Sequence, residues 1–276
     1  MYFIIQKERD NIDVDTTVLE SIISNEPGKT DIYENMSLVL LKRISGNSFD
    51  NHEIPVGDLR FVQEFLKKVH NIDKMNPIEV PEVLRTESAL KRKYSIVRGK
   101  DLPDKGNYFV KGVSQLKLFT YQGYISRLIV HREDSEPKKF YDGFIDATLR
   151  IHDEDLYVLS ELVDIKAEYR CFVNNEEIEG VQFYSGKPTI TLTRDMMKEV
   201  NSWTHIYSLT DDAPKSYAMD VAVIEKDGEE QVAIIEVCPV TSVGLYGFNS
   251  SILPKMYKDG IDWYINVNKP LVQATC

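Results

Sequence analysis

The sequence predicts an α+β fold, in which a small α/β unit precedes a larger region of antiparallel hairpins and helices. Two long apolar segments reverse direction at turn-forming pairs, Asn174-Asn175 and Asp227-Gly228, which predicts two hairpins. Apolar residues at helical spacing lie between and around these hairpins. A length of 276 residues is sufficient for more than one packed unit.

The N-terminal region is expected to alternate strands with helices. Its apolar patterns predict, in order, a buried strand MYFIIQ, a Thr-capped helix around VLESIISN, a strand SLVLLKRI and a helix LRFVQEFLKKVHNI. Pro77 and Pro81 in the segment NPIEVPEVLR then interrupt the pattern, so we expect a domain junction there.

The region after this junction is expected to contain hairpins separated by helices. The predicted elements are, in order, strand–turn–strand in NYFVKGVSQLKLFTYQG, a helix in FYDGFIDATLRI, a strand in DLYVLSELV, the hairpin AEYRCFVNNEEIEGVQFYSG, the capped helix TRDMMKEVNSWTHIY, the hairpin SYAMDVAVIEKDGEEQVAIIEVCPV and a helix in ILPKMYKDGIDWYINV. Consecutive antiparallel hairpins indicate α+β rather than a doubly wound sheet.

Composition excludes several classes of function. The 33 Lys and Arg residues against 44 Asp and Glu give a net charge of −11, which argues against a nucleic-acid-binding surface. No apolar run is long enough to span a membrane, and the N-terminus lacks the features of a secretory signal. The three cysteines, Cys171, Cys238 and Cys276, have no CxxC spacing, so a disulfide framework is not expected. A reducing cytoplasm is the expected location.

The last predicted hairpin contains a pair of acidic residues within two apolar strands. If the loop is the three residues Asp227-Gly228-Glu229, Asp220 lies opposite Glu236 on one face, whereas a two-residue turn would place them on opposite faces. Two facing carboxylates repel unless a cation lies between them, and oxygen ligands suit a hard ion such as Mg²⁺. The alternative is that these carboxylates reach solvent or pair with a lysine.

Further charged residues flank the apolar strands. Lys111 ends a strand before a glycine and Lys117 follows the turn, so either could reach a phosphate, although most strand-end lysines are simply solvated. Strand alternation places Glu168 and Arg170 on one face, near Glu161 in the chain. These side chains could form a polar wall for ribose and phosphate, or merely a surface ion pair.

Taken in chain order, these segments resemble the ATP-grasp superfamily. YFVKGVSQLKLF, LSELVDIKAEYRCFV and SYAMDVAVIEKDGEEQVAIIEVCPVTSVGLYG are most similar to the bacterial and phage group named for an arginine and two lysines. The upstream segments IPVGDLRFVQEFL and NPIEVPEVLRTESALKRKY are also similar to that group. The resemblance covers most of the chain, and the joint order of the motifs carries it.

The resemblance implies a nucleotide site and a metal site. Lys111 would contact the α- and β-phosphates of ATP, and Lys93 or Lys91 would be an earlier phosphate-binding lysine. The other implied contacts are adenine with the backbone around Glu161, Leu162 and Val163, ribose with Glu168, phosphate or an acyl intermediate with Arg170 and possibly Lys117, and Mg²⁺ with Asp220 and Glu236.

The implied fold has three parts. Residues 1–84 would form the N-terminal α/β domain, and residues 85–165 and 166–276 would form two α+β subdomains that enclose the nucleotide. The implied activity is ATP-dependent ligation of a carboxylate to an amine through an acyl phosphate. An amino acid, peptide or protein is the expected acceptor, and homodimers are common among similar enzymes.

One position departs from the family pattern. Similar proteins commonly end the metal-binding strand with Glu-x-Asn, whereas Cys238 stands at the third position here. A thiol is a poor ligand for a hard cation. The alternative hypotheses are therefore a degenerate nucleotide-binding module that regulates or binds a partner, and phosphotransfer without ligation.

Overall fold

The computed structural model describes residues 2–6, 29–33, 53–57, 59–73, 78–103, 106–113, 120–125 and 153–268. The helices predicted in VLESIISN and FYDGFIDATLRI and the strand predicted in SLVLLKRI lie outside these described residues.

The N-terminal elements form a three-stranded parallel sheet with a helix. The sheet contains β1 (Tyr2–Gln6), β2 (Lys29–Tyr33) and β3 (Glu53–Val56) in the order β2-β1-β3, and helix α1 (Leu59–His70) follows. The predictions of β1, of α1 and of an α/β unit are confirmed. β2 and β3 were not predicted. Pro55 is tolerated in β3 because this strand is an edge of the described sheet.

A four-stranded antiparallel sheet follows the N-terminal unit. It contains β4 (Tyr94–Arg98), β5 (Gly106–Gly112), β6 (Thr120–Ile125) and β7 (Leu156–Glu161), in the order β4-β7-β5-β6. β5 pairs with both β6 and β7. β5 and β6 confirm the two strands predicted in NYFVKGVSQLKLFTYQG, and β7 confirms the strand in DLYVLSELV. Residues 114–119, which include most of the predicted turn, lie outside the described residues. The single-turn helix α2 (Glu87–Leu90) precedes this sheet.

A second four-stranded antiparallel sheet contains the two predicted hairpins. Its strands are β8 (Asp164–Asn174), β9 (Glu177–Gly186), β10 (Ser216–Lys226) and β11 (Glu229–Pro239), in the order β11-β10-β8-β9. β8 pairs with β9, and β10 pairs with both β8 and β11. Most of β10 is buried, as its nearly continuous apolar sequence predicts.

The turn between β10 and β11 has two residues, so the three-residue loop expected from the sequence is wrong. Asp227 and Gly228 both have positive φ, at 55° and 81°, and Lys226 pairs directly with Glu229. An Asp-Gly pair is favoured here because this tight turn needs left-handed backbone at both positions and matches the twist of the strands.

A β-bulge in the same hairpin nevertheless brings the two predicted acidic residues opposite each other. Val221 pairs with Ile234 and Asp220 pairs with Glu236, so Ile235 is an extra residue in β11. A bulge shifts the register by one residue and so exchanges the faces of the side chains beyond it. The expected pairing of Asp220 with Glu236 is thus correct, but the bulge rather than the loop length produces it.

Two helices pack on these sheets. Helix α3 (Arg194–Ser208) is capped by Thr193, whose Oγ accepts a hydrogen bond from the Met196 N–H at 3.2 Å, which confirms the predicted capped helix. Helix α4 (Leu253–Val267) confirms the last predicted helix. None of the helices that the structure describes combines the length and apolar character that crossing a bilayer would require.

The two largest of four hydrophobic clusters among the described residues form the main cores. The first joins the N-terminal unit to the end of the chain, with Phe3, Phe65, Phe172, Leu253 and Tyr264 among its buried members. The second lies between α3 and the β8–β11 sheet. These cores hold the β8–β11 sheet as a fixed surface beside the β4–β7 sheet.

Candidate active site

A cavity of about 410 Å³ lies between the β4–β7 sheet and the β8–β11 sheet. Strands β4, β5 and β7 line one side, and β8, β9 and β11 line the other. Residues 161–163 and Ile165, where β7 leads into β8, complete the wall. A concave cavity of this size between two units, with a few polar groups in an apolar lining, is typical of a small-molecule site.

Lys111 is a buried cation at this cavity. Its Nζ lies 2.6 Å from Glu236 Oε1 and 3.5 Å from Glu79 Oε1, and its side chain is 11% exposed. Burial alone would lower the pKa of Lys111, but Glu236 and Glu79 outweigh it and hold that pKa above its usual value. The ammonium therefore stays charged at neutral pH, ready to bind an anion that enters the cavity.

Asp220 forms a buried, two-point ion pair with Arg170. The guanidinium donates from Nε to Oδ1 and from Nη2 to Oδ2, each at 2.8 Å, while Nη1 donates to the Gly244 carbonyl at 3.0 Å. The two side chains are 4% and 9% exposed. Burial opposes the charge of Arg170, but its hydrogen bonds to Asp220 raise the pKa of the guanidinium overall. Arg170 was predicted to bind phosphate, but two of its nitrogens, Nε and Nη2, donate to Asp220 instead.

Tyr184 connects Asp220 to Glu168. Its hydroxyl is 3.0 Å from Glu168 Oε1 and 3.4 Å from Asp220 Oδ2, and Tyr184 stacks on Tyr246 with ring centroids 5.1 Å apart. Arg170 lies over both rings. Burial, reinforced by the two carboxylates, raises the pKa of the Tyr184 hydroxyl, so it remains a donor. Glu168 and Arg170 lie on one side of β8, as their alternation predicts.

Three side chains that could hold a metal ion meet on β10 and β11. Single ligand atoms of Asp220, Glu236 and Cys238 lie within 4.8 Å of one another. The two predicted metal ligands are therefore brought together. The alternative expected from the sequence, that a carboxylate of this pair binds a lysine, is also observed for Glu236, because its carboxylate accepts a hydrogen bond from Lys111.

The two carboxylates fit a hard divalent cation, whereas the thiol does not. Glu236 lines the cavity and is 35% exposed. Asp220 gives both oxygens to Arg170, but an ionised carboxylate has about four acceptor positions, so it keeps some for a cation. Burial first, and then the neighbouring carboxylates, raise the pKa of the Cys238 thiol well above its usual value. A neutral thiol is a poor ligand for Mg²⁺.

The three predicted adenine contacts lie together in the cavity wall. Glu161, Leu162 and Val163 all line the cavity where β7 ends. The Glu161 N–H donates to the Lys93 carbonyl at 3.0 Å, and the Glu161 side chain accepts at Oε2 from the Lys93 N–H at 3.0 Å. Leu162 is partly exposed and its apolar side chain can cover a flat ring.

Of the other predicted lysines, the two that the structure describes, Lys91 and Lys93, do not line this cavity. Lys93 has a side chain that is 90% exposed and approaches Glu161 at 3.6 Å. Lys91 is paired with Glu199 at 3.3 Å, outside the cavity lining. Lys117 lies outside the described residues.

The sequence interpretation missed Arg92, which lies between these two lysines. Arg92 is buried and lines the cavity next to Tyr94. Strand alternation contains the signal that could have found it, because Arg92 and Tyr94 share one face of the chain entering β4 while Lys93 lies on the other. Glu79 was also missed; it lies in the proline-containing segment before the sheets and has no strand periodicity to mark it.

Comparison with known families identifies the class that this fold and cavity define. A family model for an ATP-grasp domain, described as family 2 of the clade named for an arginine and two lysines, matches residues 90–256. This range includes the residues of both sheets that line the cavity. The chain belongs to this family of ATP-grasp proteins. The expected superfamily and the α+β fold are thereby confirmed.

Several solved structures are similar at low identity. D-alanine–D-alanine ligase from Bacillus anthracis complexed with ATP is 14% identical, with 97% of this chain and 96% of that chain covered and a TM-score of 0.44. L-amino acid ligase from Bacillus licheniformis is 10% identical, with 98% and 74% covered and a TM-score of 0.49. No curated protein matches the sequence.

Proposed function

We propose that the protein is an ATP-dependent ligase that joins a carboxylate to an amine. The observation that carries this proposal is the contact of 2.6 Å between Lys111 Nζ and Glu236 Oε1 in the cavity. It sets a cation suited to phosphate beside a carboxylate suited to a metal ion. Membership of the ATP-grasp family supports ATP as the nucleotide.

The proposed binding mode follows the cavity from one end to the other. Adenine would lie against residues 161–163 and ribose would meet Glu168. Lys111 would release Glu236 and contact the α- and β-phosphates as a point charge. Asp220 and Glu236 would hold Mg²⁺, which when bound neutralises negative charge on the polyphosphate. The three-part division at residues 1–84, 85–165 and 166–276 belongs to this proposal, with the nucleotide between the last two.

The proposed reaction has two balanced steps. A carboxylate oxygen of the first substrate attacks the γ-phosphorus of ATP, and the bond to the bridging oxygen breaks to give an acyl phosphate and ADP. The amine nitrogen of the second substrate then attacks the acyl carbon, a proton leaves the nitrogen, and inorganic phosphate departs. The chain contributes positioning and charge neutralisation, which dominate phosphoryl transfer.

The acceptor is proposed to be an amino acid, a peptide or a protein. The test is ADP release from purified protein with ATP, Mg²⁺ and panels of carboxylates and amines, with products identified by mass spectrometry. The proposal expects ADP release that requires both substrates and a product with a new amide bond. A stable phosphorylated acceptor would instead support phosphotransfer without ligation.

A second candidate is a nucleotide-binding module without ligase activity. Two observations favour it: Cys238 lies in the metal cluster at the position where similar proteins commonly have an asparagine, and Arg170 already holds both oxygens of Asp220. This candidate expects calorimetric binding of ATP with no turnover for any acceptor. Absence of ATP binding in the presence of Mg²⁺ would remove both candidates.

A further inference from the structure

The bulge in β11 decides which side chain lies opposite Asp220. Lys226 pairs with Glu229 at the turn, and an unbroken ladder from that pair would place Ile235 opposite Asp220. Glu236 would then lie on the other face, because a shift of one residue exchanges the two faces of a strand. The bulge lets the consecutive residues Ile235 and Glu236 both line the cavity.

Arg92 binds the two carbonyls at this bulge. Its Nη1 donates to the Ile234 carbonyl at 2.7 Å, and its Nη2 donates to the Ile235 carbonyl at 3.3 Å. The other donors orient the guanidinium: Nε donates to Ser160 Oγ at 2.8 Å, and Nη1 also donates to the Leu90 carbonyl at 3.0 Å. Arg92 therefore connects β7 of one sheet to the irregular point of the other.

This guanidinium is a buried charge held by neutral oxygens. Arg92 is 9% exposed, and burial lowers its pKa to about 10, so it remains protonated at neutral pH. A buried charge is costly unless its donors are satisfied, and hydrogen bonds from a charged donor are stronger than neutral ones. Carbonyls at a bulge lose regular ladder partners, so Arg92 supplies the donors that this geometry requires.

We propose that Arg92 is a positioning residue that fixes the bulge and thereby sets Glu236 opposite Asp220. This proposal rests on the proposed function, since the pair it sets is the proposed cation site. Arg92 lines the cavity, but its Nε, Nη1 and Nη2 all donate to oxygens of the protein, so it acts on the site through the backbone of β11. Lysine at position 92 has one ammonium in place of a fork, so it can hold one of the two carbonyls but cannot reproduce both bonds.

The experiment compares wild type with Arg92→Lys and with the milder Ser160→Ala, which removes the acceptor of Arg92 Nε. The affinity for a non-hydrolysable ATP analogue is measured by calorimetry with Mn²⁺ and again with EDTA. The ratio of the two affinities gives the contribution of the metal ion. Arg92→Lys is expected to lower this ratio about tenfold, as loss of a group supporting metal ligands does, because it weakens binding with Mn²⁺ more than binding with EDTA.

A second readout follows the bulge itself. Hydrogen–deuterium exchange of the backbone in residues 234–237 is expected to be faster in Arg92→Lys and, to a smaller extent, in Ser160→Ala. A folded Arg92→Lys with unchanged exchange and an unchanged affinity ratio would overturn the proposal. An equal loss of affinity with and without Mn²⁺ would also overturn it, because this result indicates direct contact with phosphate.

The two proposals fail differently. Wild-type protein that does not bind the analogue removes the proposed function, whereas normal binding with an unchanged ratio in the variants removes only the role of Arg92. If Arg92→Lys does not fold, Ser160→Ala decides by the same two measurements.

Discussion

Replacing Arg170 with methionine is expected to lower the free energy of unfolding by about 3 kcal/mol or more, the loss typical of breaking a buried ion pair. The guanidinium contacts both oxygens of Asp220 at 2.8 Å, and the two side chains are 9% and 4% exposed. Methionine retains aliphatic volume but has no donor. Asp220 would keep only the longer contact with Tyr184 at 3.4 Å.

The assay is urea unfolding at neutral pH, followed by circular dichroism. The double variant Arg170→Met with Asp220→Asn is expected to be about 2 kcal/mol more stable than the single variant, because no unpaired charge remains buried. The matched control is Lys198→Met. It breaks the exposed ion pair with Asp195, 66% and 86% exposed, and is expected to change stability by less than about 1 kcal/mol.

The expected loss of unfolding free energy comes from the unpaired carboxylate of Asp220. A single variant within about 1 kcal/mol of wild type, which is the ordinary size of a mutational effect, would refute it. A double variant no more stable than Arg170→Met alone would refute it as well, since the loss would then come from packing rather than from charge.

Three further predictions concern single side chains of the site. Burial, and then the nearby Glu236, raise the pKa of Glu79 above 4.5. Ionisation of Glu79 therefore destabilises the folded protein, and stability is lost as pH rises through the raised pKa. Glu79→Gln is therefore expected to be more stable than wild type at neutral pH, with the difference disappearing below about pH 4.5 in urea unfolding. Glu168→Gln is expected to weaken binding of an ATP analogue about tenfold in calorimetry and to leave binding of its 2′,3′-dideoxy form unchanged. Equal losses for both nucleotides would contradict the ribose contact. Cys238→Asn is expected to reduce the Mg²⁺ concentration needed for half-maximal ATP turnover, because an amide oxygen is a better ligand for a hard cation than a thiol. An unchanged Mg²⁺ requirement would show that Cys238 does not limit the affinity of the site for the metal ion.

The sequence predicted the elements whose signals are local. The hairpins follow from apolar runs separated by Asn174-Asn175 and Asp227-Gly228, and helix α3 follows from its cap and its periodicity. Of the strands at the site, β5, β7, β8, β9, β10 and β11 were predicted and β4 was not, so the positions of Lys111 and the carboxylate pair could be anticipated. Strands β2 and β3 could not, since short strands of a parallel sheet depend on pairing with β1.

The contacts that shape the site were harder to predict because they join distant parts of the chain. Nothing local marks the bulge, since Ile235 simply continues the apolar run that precedes it, and the pairing was reached through a wrong loop length. The partner of Arg170 lies 50 residues away on β10. The resemblance implies a phosphate-binding lysine in this segment, and it therefore predicts Lys93. Arg92 lines the cavity instead, on the same face of the chain as Tyr94.

The measurement closest to the central claim is calorimetric titration of a non-hydrolysable ATP analogue with Mg²⁺ into wild type, Lys111→Met and the control Lys100→Met. Lys100 is an exposed lysine paired with Glu154 outside the cavity. We expect wild type and Lys100→Met to bind equally and Lys111→Met to bind at least about tenfold more weakly, the loss of one charged hydrogen bond. Equal binding by Lys111→Met, with its fold intact, would contradict the claim that Lys111 contacts the phosphates.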